Sequence, residues 1–228
     1  MKKLIPALLM TVAFPALAND AVQDFNGSVA LDYLHSTHFS STEGNLDFKI
    51  PLGYNLGLGI HGGLNNNDGR NDEYVDYDGS AIGAELFVRE KNLFKAGFDY
   101  TSETIDPKRG DKENIDNYTL FGEYYYQQFN FTANRIHTNT EFENNGDSWT
   151  IGLNYYADPN IRLDLEAGGM DKRDNYTVKG TVQPQLFNNT ASVNAGYIHG
   201  RDEDSVFVGI QYYFGATTTL MKRDRFYR

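Results

Sequence analysis

From Phe25 to Phe214 the chain puts an apolar side chain at every second position, and it does so segment after segment. The first set is Phe25, Gly27, Val29, Leu31 and Tyr33, interleaved with Asn26, Ser28, Ala30 and Asp32. Later sets include Leu46/Phe48/Ile50, Ile82/Ala84/Leu86/Val88, Trp149/Ile151/Leu153/Tyr155, Ile161/Leu163/Leu165 and Val206/Val208/Ile210/Tyr212/Phe214. Period two is the signature of a strand with unlike faces, because successive side chains leave a strand on opposite sides. No comparable window shows the i, i+3, i+4 spacing of an amphipathic helix. The reading is all-β with twelve strands, ten being the alternative, in one domain of the chain's 228 residues.

The segments between these runs form a second pattern. After the first strand the expected connections run long, short, long, short: residues 36–44 then 53–55, 65–78 then 90–92, 102–116 then Gln127-Gln128. Residues 138–147, 157–160, 171–174, Pro184-Gln185 and 200–204 complete the series. An even number of antiparallel strands with turns at one end and loops at the other is the plan of a transmembrane up-and-down β-barrel, which places both termini on the periplasmic turn side. A soluble sandwich would also alternate, so the contents of the two faces must decide.

One face ends in aromatics: Tyr33, Tyr100, Tyr118, Tyr126, Phe129, Trp149, Tyr155, Tyr176, Tyr197, Tyr212 and Phe214 lie near strand ends. Rings with an apolar body and a polar tip suit the two membrane interfaces. The opposite face carries Asp32, Asp47, Lys49, Glu85, Arg89, Lys95, Asp99, Glu123, Arg162, Asp164, Glu166 and Lys179. Charges in the middle of strand after strand are costly in a packed core, whereas a water-filled lumen accommodates them, so these twelve are the expected pore-lining residues. Phe87, Phe121, Tyr125, Tyr156, Phe207 and Tyr213 share that face and would narrow the bore.

The N-terminus agrees with export. Lys2 and Lys3 precede an apolar run from Leu4 to Leu17, broken by Pro6 and Pro15, and Ala16-Leu17-Ala18 has the small residues of a cleavage site. This reads as a signal peptide over residues 1–18, too short for a membrane helix of about 20 residues. The domain plan is therefore residues 1–18 as signal peptide, 19–214 as barrel and 215–228 as a basic periplasmic tail. General secretory export to a Gram-negative outer membrane follows. With no cysteine, disulfide scaffolds and thiolate metal sites are excluded. The net charge of −11 argues against nucleic acid as a partner.

The closing segment, Val206-Phe-Val-Gly-Ile-Gln-Tyr-Tyr-Phe214, resembles the last strand of bacterial outer-membrane proteins, whose final aromatic is read by the barrel assembly machinery. The chain resembles a small porin-type barrel, similar in size and strand number to the twelve-stranded channels for acidic oligosaccharides. It departs from them in continuing for a further segment, 215–228, in which Lys222, Arg223, Arg225 and Arg228 stand against Asp224. That tail is open to several readings: contact with a membrane rim, the cell wall or a periplasmic partner, a fold back into the lumen, or plain solvation.

The expected lumen set has seven acids and five bases, close to balanced and without the basic track that the resemblance would imply. A narrow, weakly cation-preferring diffusion channel for small hydrophilic solutes or ions is the functional expectation, and a non-conducting structural or surface-binding barrel the alternative. Outer-membrane lipid and lipopolysaccharide are the other expected partners, with no cofactor. The surplus acids concentrate in presumed loops, as in the stretch NNNDGRNDEYVDYD at 65–78, and read as a hydrated outer surface. A calcium loop at Asp76-Tyr77-Asp78-Gly79 closed by Glu85 fits poorly, because Tyr74 stands where the first carboxylate belongs. Enzymatic function is not expected: the chain has no G-x-S-x-G or H-E-x-x-H element, and Ser36 with His38 is an isolated pair among five histidines.

Overall fold

The computed structural model describes residues 26–226 except 54, 70–75, 142–144, 171–172 and 202. The expected signal peptide lies outside the described residues. Twelve strands form one closed antiparallel ring: β1 (Asn26–Ser36), β2 (Phe39–Pro51), β3 (Leu56–Gly69), β4 (Tyr77–Glu90), β5 (Phe94–Pro107), β6 (Glu113–Tyr126), β7 (Phe129–Thr140), β8 (Gly146–Asp158), β9 (Ile161–Met170), β10 (Arg173–Val182), β11 (Ala191–Gly200) and β12 (Asp204–Phe214). Each strand pairs with its neighbours in sequence, and β1 closes on β12 with Gly27 opposite Phe214 and Ser36 opposite Ser205. The only described α-helix, α1, covers Leu220–Phe226.

The strands are longer than the alternation suggests. β3 runs to Gly69 and β5 to Pro107, while only residues 37–38 separate β1 from β2. Most of the expected long loops at 36–44, 65–78, 102–116 and 138–147 are therefore strand. The reason is physical. Stretches such as Ser41-Thr42-Glu43 keep their cross-strand pairing beyond the apolar band, where both faces are accessible and polar, and apolar alternation has no cause to persist. The longest described connection is at the expected turn end: residues 183–190 contain a single 3₁₀ turn (Gln185–Phe187) and two left-handed residues, Asn188 and Asn189.

The outer face is apolar and open. Leu31, Leu64, Ile82, Leu120, Ile151, Val206 and Val208 are all more than half exposed, which no water-soluble surface would sustain over a whole ring. Aromatics flank this band at two levels. Toward the loops Tyr100 lies against Tyr118, their centroids 5.3 Å apart, and Tyr176 and Tyr197 each stack with His199. Toward the turns Phe129 meets Tyr155 at 5.1 Å, and Tyr212 meets Phe214 at 5.2 Å. Along β6, Tyr118 to Tyr126 spans about 26 Å at ~3.3 Å per residue. With a strand tilt of about 40°, that is roughly 20 Å of height, near the ~25 Å band of outer-membrane barrels.

Leu165, on the outer face between the Trp149 and Tyr155 levels of its neighbour β8, supplies a test. Leu165→Arg should lower stability by about 2–4 kcal/mol in lipid, as a cation near the bilayer midplane does. Denaturant titration of protein refolded in vesicles measures it. The inward-facing Thr177→Arg on β10 should have a much smaller effect.

Candidate functional site

The ring leaves a limited interior. Twelve strands about 4.8 Å apart and tilted about 40° make a barrel about 24 Å across between backbones. A layer of side chains about 5 Å deep on each wall leaves roughly 14 Å. All twelve charged residues expected in the lumen have their side chains on this inner face, in phase with buried neighbours and opposite in phase to the exposed apolar set. They do not form one site. The structure divides them between two levels.

Toward the loops the inner face is half-exposed. Asp32, Asn45, His61, Asp99, Asn134, Thr150, Thr177, Lys179 and Asn194 are all partly accessible, and Glu166 is exposed. Asp32 accepts a long hydrogen bond from Asn194 Nδ2 (3.5 Å). His61 Nε2 lies 3.0 Å from Thr101 Oγ1 and 3.5 Å from Asp99 Oδ2. This half is a polar vestibule.

Toward the turns the interior is filled. On the β2–β6 side Lys49 Nζ sits 2.9 Å from Asp47 and 2.6 Å from Glu85, and Lys95 Nζ, 4% exposed, sits 3.3 Å from the same Glu85 oxygen. Lys95 also lies over the rings of Phe87 and Phe121, at 4.4 and 4.9 Å, and Arg89 over Phe87 at 5.5 Å. Such cation–π contacts strengthen where water is excluded. Glu123 accepts from the Tyr125 hydroxyl at 3.0 Å. The cluster depends on small residues beneath it: a Cβ at Gly57 would stand 2.2 Å from the Phe87 ring, and one at Gly59 2.3 Å from Glu85 Cγ.

The β7–β12 side is filled differently. Arg162 pairs with Asp164 at 2.7 Å, Lys179 reaches Asp164 at 3.4 Å, and Arg162 is also hydrogen-bonded to Asp224. Asp224 belongs to α1. The tail was open to several readings from sequence; its described part, residues 215–226, turns inward at Gly215 (φ 90°) and enters the barrel mouth. Leu220, Arg223, Asp224 and Arg225 are buried. Asp224 accepts from the Tyr156 hydroxyl at 2.5 Å. Arg225 donates to Asn130 Oδ1 and to the Gln127 and Phe129 carbonyls, at 2.9, 2.7 and 3.1 Å. Arg223 donates to Asn26 Oδ1 and to the Asn189 and Ala216 carbonyls, at 3.4, 3.1 and 2.9 Å, and its guanidinium lies 4.0 Å from the Tyr213 ring centroid. A crevice of about 110 Å³ remains beside it, lined by Asn26, Ser28, Asp47, Gln211, Tyr213 and Arg223.

The backbone resembles known membrane barrels. An outer membrane channel from Pseudomonas putida F1 superposes with a TM-score of 0.67 at 11% identity, covering 89% of this chain and 97% of that one. The KdgM porin, solved in complex with disordered oligogalacturonate, superposes with a TM-score of 0.62 at 11% identity, over 82% of this chain and 99% of that one. The likeness is one of fold, a closed antiparallel β-barrel. No protein-family model matches the sequence, and no curated protein does.

Within this barrel, sequence reading missed the groups that receive the tail: Asn26, Asn130, Gln183 and the turn carbonyls. Each is polar, at the turn end and on the inner face. That position was readable; the partner was not. Among the outer ends, Asp76 accepts from the Gly69 amide (2.8 Å) and from Lys108 Nζ (3.1 Å), and Lys108 holds its carboxyl below the usual range, chiefly through that hydrogen bond. Asp68 also approaches Lys108, at 3.4 Å. The acidic stretch at 65–78 is thus partly neutralised by the β5–β6 connection.

Glu85 is the hub of the β2–β6 cluster. Glu85→Ala would strip the buried Lys95 of its ion-pair partner and leave Lys49 with Asp47 alone, and should destabilise the barrel by about 3–5 kcal/mol, read as an earlier denaturant midpoint. Adding Lys95→Met, which removes the stranded charge, should recover part of the loss.

Proposed function

We propose that this chain is an outer-membrane channel through which small hydrophilic solutes diffuse passively, narrow and with a weak preference for cations. The observation that carries this reading is the vestibule: an apolar outer wall encloses an inner face of polar and charged side chains that is solvated over the loop-side half. A barrel serving only as a structural anchor has no need of a hydrated interior, and narrow eight-stranded barrels fill theirs with side chains. The likeness to an outer membrane channel and to the KdgM porin supports the same reading.

The polarity of the route favours cations. Asp32, Glu43, Asp99, Glu103 and Glu166 share the vestibule with Lys179, whereas Lys49, Lys95 and Arg162 are drawn into ion pairs deeper in the barrel. Acidic sugars are poorly served by such a wall, so neutral or cationic solutes are the proposed cargo. Export over residues 1–18, both termini on the periplasmic side, insertion by the barrel assembly machinery, and lipopolysaccharide packed around the outer ends of the strands complete the proposal. The charges named here act as pore-lining groups, with no catalytic role assigned.

The packed turn-end mouth favours a second reading, a non-conducting barrel whose outer surface binds a partner. Planar-bilayer recording separates the two. The expected result for the full chain is small, discrete openings at low voltage and, under a salt gradient, a reversal potential of the sign set by cations. Anion-selective openings would remove the cation preference. Silence over many insertions, both for the full chain and for a chain ending at Gly215, would remove the channel reading in favour of the second.

A further inference from the structure

We propose that the C-terminal segment, residues 216–226, is a built-in stopper: α1 spans the turn-end mouth and must leave it for the channel to conduct fully. The inference rests on the channel reading above and adds its regulation.

The argument is topological. In the ring order, β1 and β7 are six places apart whichever way the ring is followed, so they face each other across the barrel. Arg223 reaches Asn26 on β1, and Arg225 reaches Asn130 on β7. Residues two apart on an α-helix point in nearly opposite directions, about 200° around the axis. Two neighbouring arginines of one short helix therefore brace opposite walls, and the helix lies between them. Asp224, projecting between the two, holds Tyr156 of β8 and Arg162 of β9.

The sizes agree. An α-helix with its side chains is about 10–12 Å wide, and the bore left by twelve strands is roughly 14 Å. One helix, with the Lys49–Glu85–Lys95 cluster on the other side, takes up most of that width. The docking is also specific. The Met221 amide donates to the Pro159 carbonyl at 2.9 Å and the Leu220 amide to Asn160 Oδ1 at 3.2 Å. Gln183 Nε2 holds the Thr218 carbonyl at 3.2 Å. The three turns β6–β7, β8–β9 and β10–β11 are all engaged, and the long β10–β11 connection presents its Asn189 carbonyl to Arg223.

This seat is polar, which suits a removable part. An apolar plug of the same size would be held by burial alone and would expose a hydrophobic face on leaving; here three of the four buried groups of α1 are Arg223, Asp224 and Arg225, which water solvates well, and Leu220 is the one apolar side chain among them. The barrel keeps its own balance, because Arg162 retains Asp164 when Asp224 leaves.

The test uses the absence of cysteine in the chain. A Leu220→Cys reporter places one thiol on the tail at a site 1% exposed, to be labelled with a membrane-impermeant maleimide. The releasing variant is Arg223→Gln with Arg225→Gln, which keeps Asp224 for Arg162; a chain ending at Gly215 is the second variant, and heat-modifiable gel migration verifies that each barrel is folded. The stopper requires slow labelling in the otherwise intact chain, fast labelling in the releasing variant, and a several-fold rise in unitary conductance in both the releasing variant and the shortened chain. Fast labelling in the intact chain overturns it. So does release with an unchanged, non-zero conductance, which leaves the channel reading standing. Release shown by labelling with no conductance in any variant sinks the channel reading, and the stopper with it.

Discussion

Every main-chain amide and carbonyl that enters hydrocarbon must be hydrogen-bonded within the protein, since lipid offers no partner. For strands the only solution is a ring without edges, and the pairing of β1 with β12, from Gly27–Phe214 to Ser36–Ser205, is where this chain meets that demand. The rest follows from closure. A closed sheet has one convex and one concave face, so a period-two sequence becomes an apolar outside and a polar inside. The fixed number of strands then sets the bore.

Closure also creates the interior's central difficulty. A bore of about 14 Å is too wide for wall side chains to fill from both sides, yet narrow enough that charges at the turn end are largely removed from water. The two halves meet this in different ways. On the β2–β6 side, the ring of Phe87 and the length of Lys49 and Lys95 reach inward from a wall made shallow by Gly57 and Gly59. On the β7–β12 side the short groups Asn130, Thr181 and Ser192 stand among Tyr156, Arg162 and Tyr213, and the volume left between them is filled by α1. The helix brings Arg225 to Asn130 and Asp224 to Arg162, and the outcome is a barrel with a wet vestibule and a packed floor.

Much of this was legible in the residues themselves. Strand number, the direction each side chain faces and the aromatic belts all follow from alternation, because a strand's geometry leaves no choice once its two faces meet different media. Strand ends were less legible. Where β2, β3, β5, β6 and β7 continue above the apolar band, Asn, Asp, Ser and Thr occupy both faces, and a sequence polar on both sides looks the same whether it is ladder or loop. The ion pairs were half legible: Lys49, Glu85 and Lys95 were placed on one face, but their convergence on one carboxylate depends on the stagger between strands.

The tail marks the boundary most clearly. Its composition, Lys222, Arg223, Asp224, Arg225, is that of many solvated termini, and nothing local tells such a segment to fold inward. By itself the sequence determined an antiparallel barrel of twelve strands, with ten as the alternative, having an apolar outside and a charged inside, since the two faces are carried by the period of each strand. Only the tertiary structure decided that Asn26 and Asn130 stand across a mouth one helix wide, because distance across a ring is a property of its closure, and that distance is what makes Arg223 and Arg225 fit.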